Sequence, residues 1–308
     1  MSHTNKLFKV IRYDMPEPGL DLADERVKER LVSETEYDAR WGKVIRDRQY
    51  GSDGQLEQET EYAYDDQGFL VREVLREGDG EVMEEKSWEA DEQGRIARQF
   101  LHYADGSKDT IEHEYNADGQ LIKKVTMDED GEVEETEVFV YDSGRLVQES
   151  LYDGMVEYDE LADMEPLREV FYRHDEEGLL LETHERNLME EVERKRVNHY
   201  DEDGYRTEVL VYDENEELIE RIQLTPDQKG RPLEVTEETR RMKNTIRMRY
   251  NEHGLVDFQE EHDLKGRLVS RVERIYDESG RLLESRVEQN NPAVNVSQYY
   301  VVKQIYGS

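Results

Sequence analysis

The chain has 308 residues, of which 77 are acidic and 41 basic, giving a formal net charge of −36. A field of this sign repels nucleic acid and anionic membranes, which proteins bind through basic patches, so we expect neither as a partner. The absence of cysteine excludes a disulfide framework and cysteine-ligated metals.

The first predicted element is an N-terminal cap segment, residues 1–36. Within it, Leu7 to Tyr13 alternates apolar and polar residues as a strand does, and the loop Met15 to Gly19 follows. The stretch Asp21 to Ser33 has two interpretations. It is either a short helix with Asp21 as its N-cap or the first full strand.

A glycine recurs about every thirteen residues through residues 37–290, and two successive steps make a period of about 26 residues. Such a period indicates a repeat array, in which each unit packs against its neighbours. Glu216 occupies one of the glycine positions. The predicted turn glycines are Gly54, Gly68, Gly80, Gly94, Gly106, Gly119, Gly131, Gly144, Gly204, Gly230, Gly254, Gly266 and Gly280.

The residues around each glycine show that the repeating unit is a β-hairpin. Asp or Asn at the start of a turn bonds the backbone two residues on, and glycine supplies a positive φ. Asp-Gly between alternating segments is a strong hairpin signal. The longer turns, Tyr64 to Leu70, Tyr115 to Leu121 and Tyr276 to Leu282, share the pattern Tyr-Asp/Asn-x-x-Gly-x-Leu.

Between turns, side chains alternate with the two-residue period of a strand. Ile111, His113 and Tyr115 share one face, opposite Glu112 and Glu114. With only 35% hydrophobic residues, a thick two-layer core is not expected. We predict an all-β fold: a long antiparallel meander of hairpin repeats in an extended twisted or curled sheet, with few or no helices.

An insertion interrupts the array. The step from Gly144 to Gly178 is eight residues too long, which places extra chain near 152–166. A tolerated loop enlargement explains this insertion, and a binding loop is the other interpretation, since such insertions often lie on the binding face of a repeat protein. Aromatic and Met anchors ringed by charge favour partner binding. The predicted binding residues are Tyr152, Asp153, Met155, Glu157, Tyr158, Asp159, Glu160, Asp163 and Met164.

The last segment, residues 291–308, is predicted to be a C-terminal capping strand or tail. Pro292 ends the repeat pattern, and Ser297 to Ile305 has the pattern of one last strand. Terminal units usually deviate because they cap the array.

The recurring Tyr-Asp-x-x-Gly-x-Leu resembles the YD repeat of the RHS family over roughly residues 37–290, with weaker agreement around 150–175 and at 240. In that family the repeats form a long spiralling β-sheet, which in large members closes into a shell around a toxic C-terminal domain. This chain has too few repeats for a full shell, and its tail does not resemble a toxin. The hairpins are also similar to MORN-like repeats of antitoxin-type proteins.

Catalytic and metal-binding patterns are missing from the sequence. The eight histidines show no HExxH or other ligand spacing, and the glycines form neither GxGxxG nor a P-loop. We therefore expect no enzyme, no catalytic residue, no cofactor site and no metal site.

These observations favour a non-enzymatic, cytoplasmic interaction protein. We expect an immunity or antitoxin-type subunit that binds a basic protein through its acidic sheet surface. One alternative is a structural, RHS-like cage or scaffold component of a secreted toxin assembly. Another is a carbohydrate-binding module that uses exposed tyrosines. The cytoplasmic expectation rests on a start, Met1 to Lys6, without an apolar signal core. The oligomeric state stays open.

Overall fold

The computed structural model describes residues 6–156 and 164–307, and each regular element within those ranges is a β-strand. The predicted all-β antiparallel meander is confirmed. No helix in the described part of the chain is long and apolar enough to cross a bilayer. In those same ranges the strands are β1 (Lys6–Met15), β2 (Lys28–Tyr37), β3 (Val44–Tyr50), β4 (Leu56–Tyr64), β5 (Leu70–Glu77), β6 (Val82–Ala90), β7 (Ile96–His102), β8 (Lys108–Tyr115), β9 (Leu121–Met127), β10 (Val133–Asp142), β11 (Arg145–Asp153), β12 (Arg168–His174), β13 (Leu180–Asn187), β14 (Val192–Tyr200), β15 (Arg206–Tyr212), β16 (Leu218–Pro226), β17 (Pro232–Thr239), β18 (Lys243–Tyr250), β19 (Val256–His262), β20 (Leu268–Tyr276), β21 (Leu282–Asn291) and β22 (Val296–Tyr306).

The chain divides into two compact units. The first comprises the residues up to Tyr62, Val74–Met83 and those from Gln223 onward. The second comprises Ala63–Glu73 and Glu84–Ile222.

In the first unit, the first and last strands of the chain are hydrogen-bonded neighbours. β1 pairs with β22 from Phe8↔Tyr306 to Met15↔Tyr299, and with β2 on its other side. The strands of this unit therefore run in the order β17 to β22 and then β1 to β4. Because both edges of β1 and of β22 are paired, neither terminal strand offers a free edge for aggregation.

In the second unit, β6 to β15 pair in chain order, each antiparallel to the next. Short turns can join strands only when these are antiparallel, so the turn chemistry of the sequence leads directly to this order.

The turn at Gly68 shows the local geometry of the repeat. Oδ1 of Asp65 accepts hydrogen bonds from the backbone N–H groups of Gln67 and Phe69, both at 2.8 Å. The φ of Gly68 is 85°, a conformation that side chains disfavour. All thirteen predicted turn glycines have a positive φ, and Glu216 in its glycine position has a φ of 60°.

A β-bulge lies beside several of these turns. In the β10–β11 hairpin, Val140 pairs with Gln148 and Tyr141 pairs with Leu146, so Val147 is the extra residue. Bulges bend a strand and increase its local twist. The register shifts in the same way just before Tyr37, Tyr50, Tyr115, Tyr200, Tyr250 and Tyr276.

The N-terminal segment differs from one prediction. Asp21 to Ser33 does not form a helix, and the first full strand is β1, which precedes it. Oδ1 of Asp21 accepts a hydrogen bond from the backbone N–H of Ala23 at 2.8 Å. Oδ1 of Asp24 accepts one from the backbone N–H of Arg26 at 2.9 Å. These are two short turns. Pairing with β1 then draws Lys28–Tyr37 into the sheet as β2, because tertiary pairing overrides weak local helix propensity.

Within residues 6–156 and 164–307, few side chains are fully buried, and most of those are β-branched. In the first unit Val74 and Val301 are 1% and 4% exposed. In the second unit the buried residues include Val170, Val209 and Val211. β-Branched residues suit a pleated surface, so a thin core of valines is enough to organise each sheet.

Candidate functional site

The base of the 152–166 insertion is attached to the neighbouring hairpin in the second unit. The N–H of Gly154 donates to the carbonyl oxygen of Glu134 at 2.7 Å. The hydroxyl of Thr136 donates to the carbonyl oxygen of Gly154, also at 2.7 Å. Where the chain returns, the N–H of Leu167 bonds the carbonyl oxygen of Leu151 at 2.7 Å. Both ends of the insertion are thus held by backbone hydrogen bonds.

Part of the insertion is core. Val138, Tyr152 and Val156 form a buried cluster, and Met164 packs against it. Tyr152 is 4% exposed and Val156 is 1% exposed. Tyr152, which the sequence predicts as a partner-binding residue, is instead buried in this cluster. The sequence of the insertion shows an aromatic residue at position 152 but does not show that Gly154 and Val156 contact β10.

The other predicted binding residues are distributed differently. Asp153 is exposed. Met155 is 49% exposed, and its sulfur lies 3.9 Å from Nζ of the buried Lys123. The remaining predicted residues, Glu157, Tyr158, Asp159, Glu160 and Asp163, lie outside the described residues. Partner binding by the insertion stays a prediction.

An exposed apolar pair beside the insertion was missed by the sequence reasoning. The N–H of Leu188 bonds the carbonyl oxygen of Leu167 at 2.8 Å, which brings the β13–β14 turn to the base of the insertion. Leu188 and Met189 are 43% and 55% exposed. The irregular turn Leu188 to Glu191, which lacks a glycine, was the available signal.

A second arrangement recurs within single turns. In the first unit, Oδ1 of Asp227 accepts hydrogen bonds from the N–H groups of Lys229 and Arg231, and Oδ2 accepts from Nε of Arg231 at 2.9 Å. These bonds, chiefly those from the Arg231 side chain, lower the pKa of Asp227 to about 2. The same Asp–Arg pair forms at Asp91–Arg95, Asp263–Arg267 and Asp277–Arg281.

The arginine of the turn also contacts the tyrosine of the next hairpin. The Arg231 guanidinium lies 4.4 Å from the centre of the Tyr250 ring, within cation–π range. The Tyr250 hydroxyl then donates to the carbonyl oxygen of Pro232 at 2.8 Å. We call this hydroxyl-to-carbonyl bond a tyrosine bracket. It recurs at Tyr115–Ile96, Tyr141–Leu121, Tyr200–Leu180, Tyr276–Val256 and Tyr306–Leu282.

A cavity of about 720 Å³ lies in the first unit between the loop that follows β1 and one face of β20, β21 and β22. Its cationic side chains are paired with carboxylates. Arg271 bonds Glu260 and Glu288 at 2.8 and 3.3 Å, and Arg286 bonds Glu284 at 2.8 Å. The lining also includes Asp21 and Glu273, so its acidic side chains outnumber its cationic ones and the paired cations leave no positive charge to attract an anion.

Among residues 6–156 and 164–307, no group of three or more His, Asp or Glu side chains is arranged to hold a metal ion.

Residues 78–221 match the family model of the Teneurin YD-shell. The hairpins in this range match YD repeats. No curated protein matches the sequence.

Three solved structures are similar to this chain. TcdB2-TccC3-TEV is 10% identical with a TM-score of 0.33, over 94% of this chain and 20% of that chain. This chain therefore spans one fifth of that protein. A porin-like protein from Bacteroides uniformis is 9% identical with a TM-score of 0.32, over 98% of this chain and 96% of that chain. A DUF1329 family protein from Desulfovibrio piger is 9% identical with a TM-score of 0.21, over 99% and 85% of the two chains.

In these repeats, the structure shows what the tyrosine of the motif and the residue after the glycine contact. The tyrosine brackets a neighbouring hairpin. An arginine after the glycine binds the aspartate of its own turn, as Arg95 binds Asp91. Sequence reasoning identified the tyrosines as recurrent and did not identify what they bind, because their partners lie about 20 residues away.

Proposed function

We propose that this chain is a non-catalytic structural module, a YD-repeat wall that forms part of a shell or scaffold in a secreted toxin-type assembly. The family match to a YD-shell over residues 78–221 supports this proposal. So does the RHS-like motif, which in large family members builds a shell around a toxic domain.

The observation that carries the proposal is the tyrosine bracket. Catalytic sites gather convergent polar groups with perturbed pKa values around one cavity. The recurrent residues of this array instead bond to one another, as Asp227, Arg231 and Tyr250 do, and each such set joins one hairpin to the next. Repetition of the same cohesive contact is what a wall requires.

The test is purification of the tagged chain from its native host in parallel at about 0.1 M and about 1 M NaCl, where the Debye length falls from ~10 Å to ~3 Å. A wall segment should co-purify with a second component in fixed molar ratio at both salt concentrations, because extended shape-matched interfaces are mainly apolar. Mass spectrometry gives the ratio, and an untagged strain is the control. Recovery of the chain alone under both conditions would contradict the structural role.

The net charge of −36 favours a second candidate, an acidic cytoplasmic subunit of immunity or antitoxin type that captures a basic protein. This candidate predicts a different outcome of the same purification. The partner should be basic, present at about 0.1 M NaCl and lost at about 1 M NaCl, because contacts between exposed charges are screened.

A further inference from the structure

The turns at one end of the strands in the first unit differ in charge and polarity from the rest of this acidic chain. Three turns lie at the same end of the antiparallel strands: β17–β18, β19–β20 and β21–β22. Each carries an exposed apolar side chain: Met242 is 51% exposed, Leu264 is 68% exposed and Val294 is 64% exposed. Alternate turns are two strand spacings apart, about 10 Å, so the three turns extend over roughly 20 Å.

Basic residues surround these apolar side chains. Arg241 and Lys265 are both exposed and flank Met242 and Leu264 in the sequence. Residues 240–250 contain five basic residues and no acidic one, in a chain with almost twice as many acids as bases. We call the turns 239–243, 263–267 and 291–295 the basic rim.

The rim is held in place by its own hydrogen bonds. Nη1 of Arg267 donates to the carbonyl oxygen of Pro292 at 3.2 Å, which links two of the turns. The N–H of Thr239 donates to the carbonyl oxygen of Met242 at 2.8 Å and closes the third. A surface that is already ordered loses little conformational entropy when it binds.

A cavity of about 370 Å³ opens beside Leu264. Its lining includes the cationic side chains of Lys243 and Arg247 and the imidazole of His262, with Asp263 as the acidic member. Nδ1 of His262 is buried and has no hydrogen-bond partner. Lys243 and Arg247 bond Glu238 and Glu234 at 2.9 and 2.7 Å, so the cavity adds a pocket beside Leu264 and little positive charge. The positive charge offered by the rim comes from the exposed Arg241 and Lys265.

These features point to an acidic protein surface as the occupant, and we infer that it belongs to a second copy of this chain. Apart from the rim, the chain is strongly acidic, so another copy supplies the complementary charge. Two basic rims repel each other, which disfavours a closed dimer through the rim. The contact is therefore heterologous, rim to acidic surface, and association continues beyond the dimer as concentration rises.

Salt should affect this association in both directions. The bodies of two copies repel because each has a net charge of −36, and this repulsion is strongest at low ionic strength. At about 0.15 M salt the Debye length is ~8 Å, which weakens the long-range repulsion while preserving contacts at the rim. Association is thus greatest at intermediate salt. The rim is smaller than a standard interface of about 800 Å² per partner, so we expect a Kd on the order of 10–100 µM.

This inference does not depend on the structural role proposed above, because it concerns the purified chain alone. The test is sedimentation equilibrium of the purified full chain across a concentration series at about 0.02, 0.15 and 1 M NaCl, chosen to span Debye lengths from over 20 Å to ~3 Å. The weight-average mass should rise with concentration most steeply at the middle salt. The double variant Arg241→Glu with Lys265→Glu should weaken association at least tenfold, and Leu264→Asn should weaken it independently.

The matched control is Arg196→Glu with Arg206→Glu, which changes the net charge equally at two exposed strand residues of the second unit. It should associate like the parent, and circular dichroism should show that every variant is folded. A parent chain that stays monomeric at every concentration and salt would overturn the inference. Equal weakening of the rim variant and the control would also overturn it, since the effect would then be one of net charge.

Discussion

The hydroxyl of Tyr250 donates a 2.8 Å hydrogen bond to the carbonyl oxygen of Pro232, 18 residues earlier in the chain. The Arg231 guanidinium lies over the same ring and binds Asp227 in its own turn. One aspartate, one arginine and one tyrosine therefore couple a turn to the neighbouring hairpin. In this chain the repeat motif encodes contacts between units as well as the shape of each unit.

Replacement of Tyr250 by Phe should lower the free energy of unfolding by about 1 kcal/mol, because the half-buried Pro232 carbonyl loses its donor. Urea denaturation followed by circular dichroism measures the change. Tyr103→Phe is the control, since Tyr103 is 48% exposed and water can replace its hydrogen bond to Asp109. Equal losses in the two variants would argue against a special role for the bracket.

The Asp227–Arg231 pair should make stability depend on pH in the acid range. The folded pKa of Asp227, about 2, lies below the ordinary value of 3.8, so the ionised form favours folding. This contribution is present above about pH 4 and is lost as the pH falls toward 2.

Carboxyl ¹³C NMR titration checks this prediction. In Arg231→Leu the pKa of Asp227 should rise toward its ordinary value, because the Arg231 side chain is the main cause of the shift. The carboxyl of Asp38 is an internal control, since backbone donors led by Trp41 hold its pKa low. An unchanged Asp227 titration in the variant would show that the ion pair does not form in solution.

Removing a turn glycine should lower the stability of the fold, and introducing a glycine at a turn position that lacks one should raise it. Gly280 has a φ of 83°, so Gly280→Val should destabilise the fold by roughly 1–3 kcal/mol. Gly68, Gly119 and Gly144 should behave in the same way. Glu216 has a φ of 60° in an equivalent turn, so Glu216→Gly should stabilise by about 1 kcal/mol. Thermal unfolding of the variants measures these changes in stability. Unchanged stability with Val at all four glycines would contradict the turn geometry.

Replacement of residues 157–163 by a short flexible linker should leave the hairpins folded, because the closure entropy of a connection changes only slowly with its length. Affinity for the partner recovered in the salt-dependent purification should fall at least tenfold, equivalent to about 1.4 kcal/mol. Isothermal titration calorimetry measures the change. The variant retains Tyr152 and Val156, which belong to the core cluster. Full affinity in the folded deletion variant would reduce the loop to a spacer.

A matched substitution separates core from surface in the same insertion. Val156→Ala should destabilise by roughly 2 kcal/mol, because Val156 is 1% exposed and its truncation leaves a cavity. Met155→Ala should change stability by less than about 0.5 kcal/mol, since Met155 is 49% exposed. Chemical denaturation measures the stability of both variants. Similar losses of stability would contradict the difference in burial between the two side chains.

The sequence by itself determined the hairpins. The aspartate and glycine of each turn act through bonds that span two to four residues, as Asp65 does with Gln67 and Phe69, so their effect follows from local chain geometry. Side-chain alternation likewise specifies strands without reference to distant residues. The all-β meander was therefore predictable from the spacing of glycines and tyrosines alone.

Only the tertiary structure decided which distant residues meet. The pairing of β1 with β22 joins residues that are almost the whole chain apart, and no local pattern encodes it. The partner of Tyr250 and the burial of Tyr152 depend on which strands are adjacent and in which register. A register shift of one residue moves a side chain to the opposite face of the sheet, so these contacts are set by packing and not by spacing along the sequence.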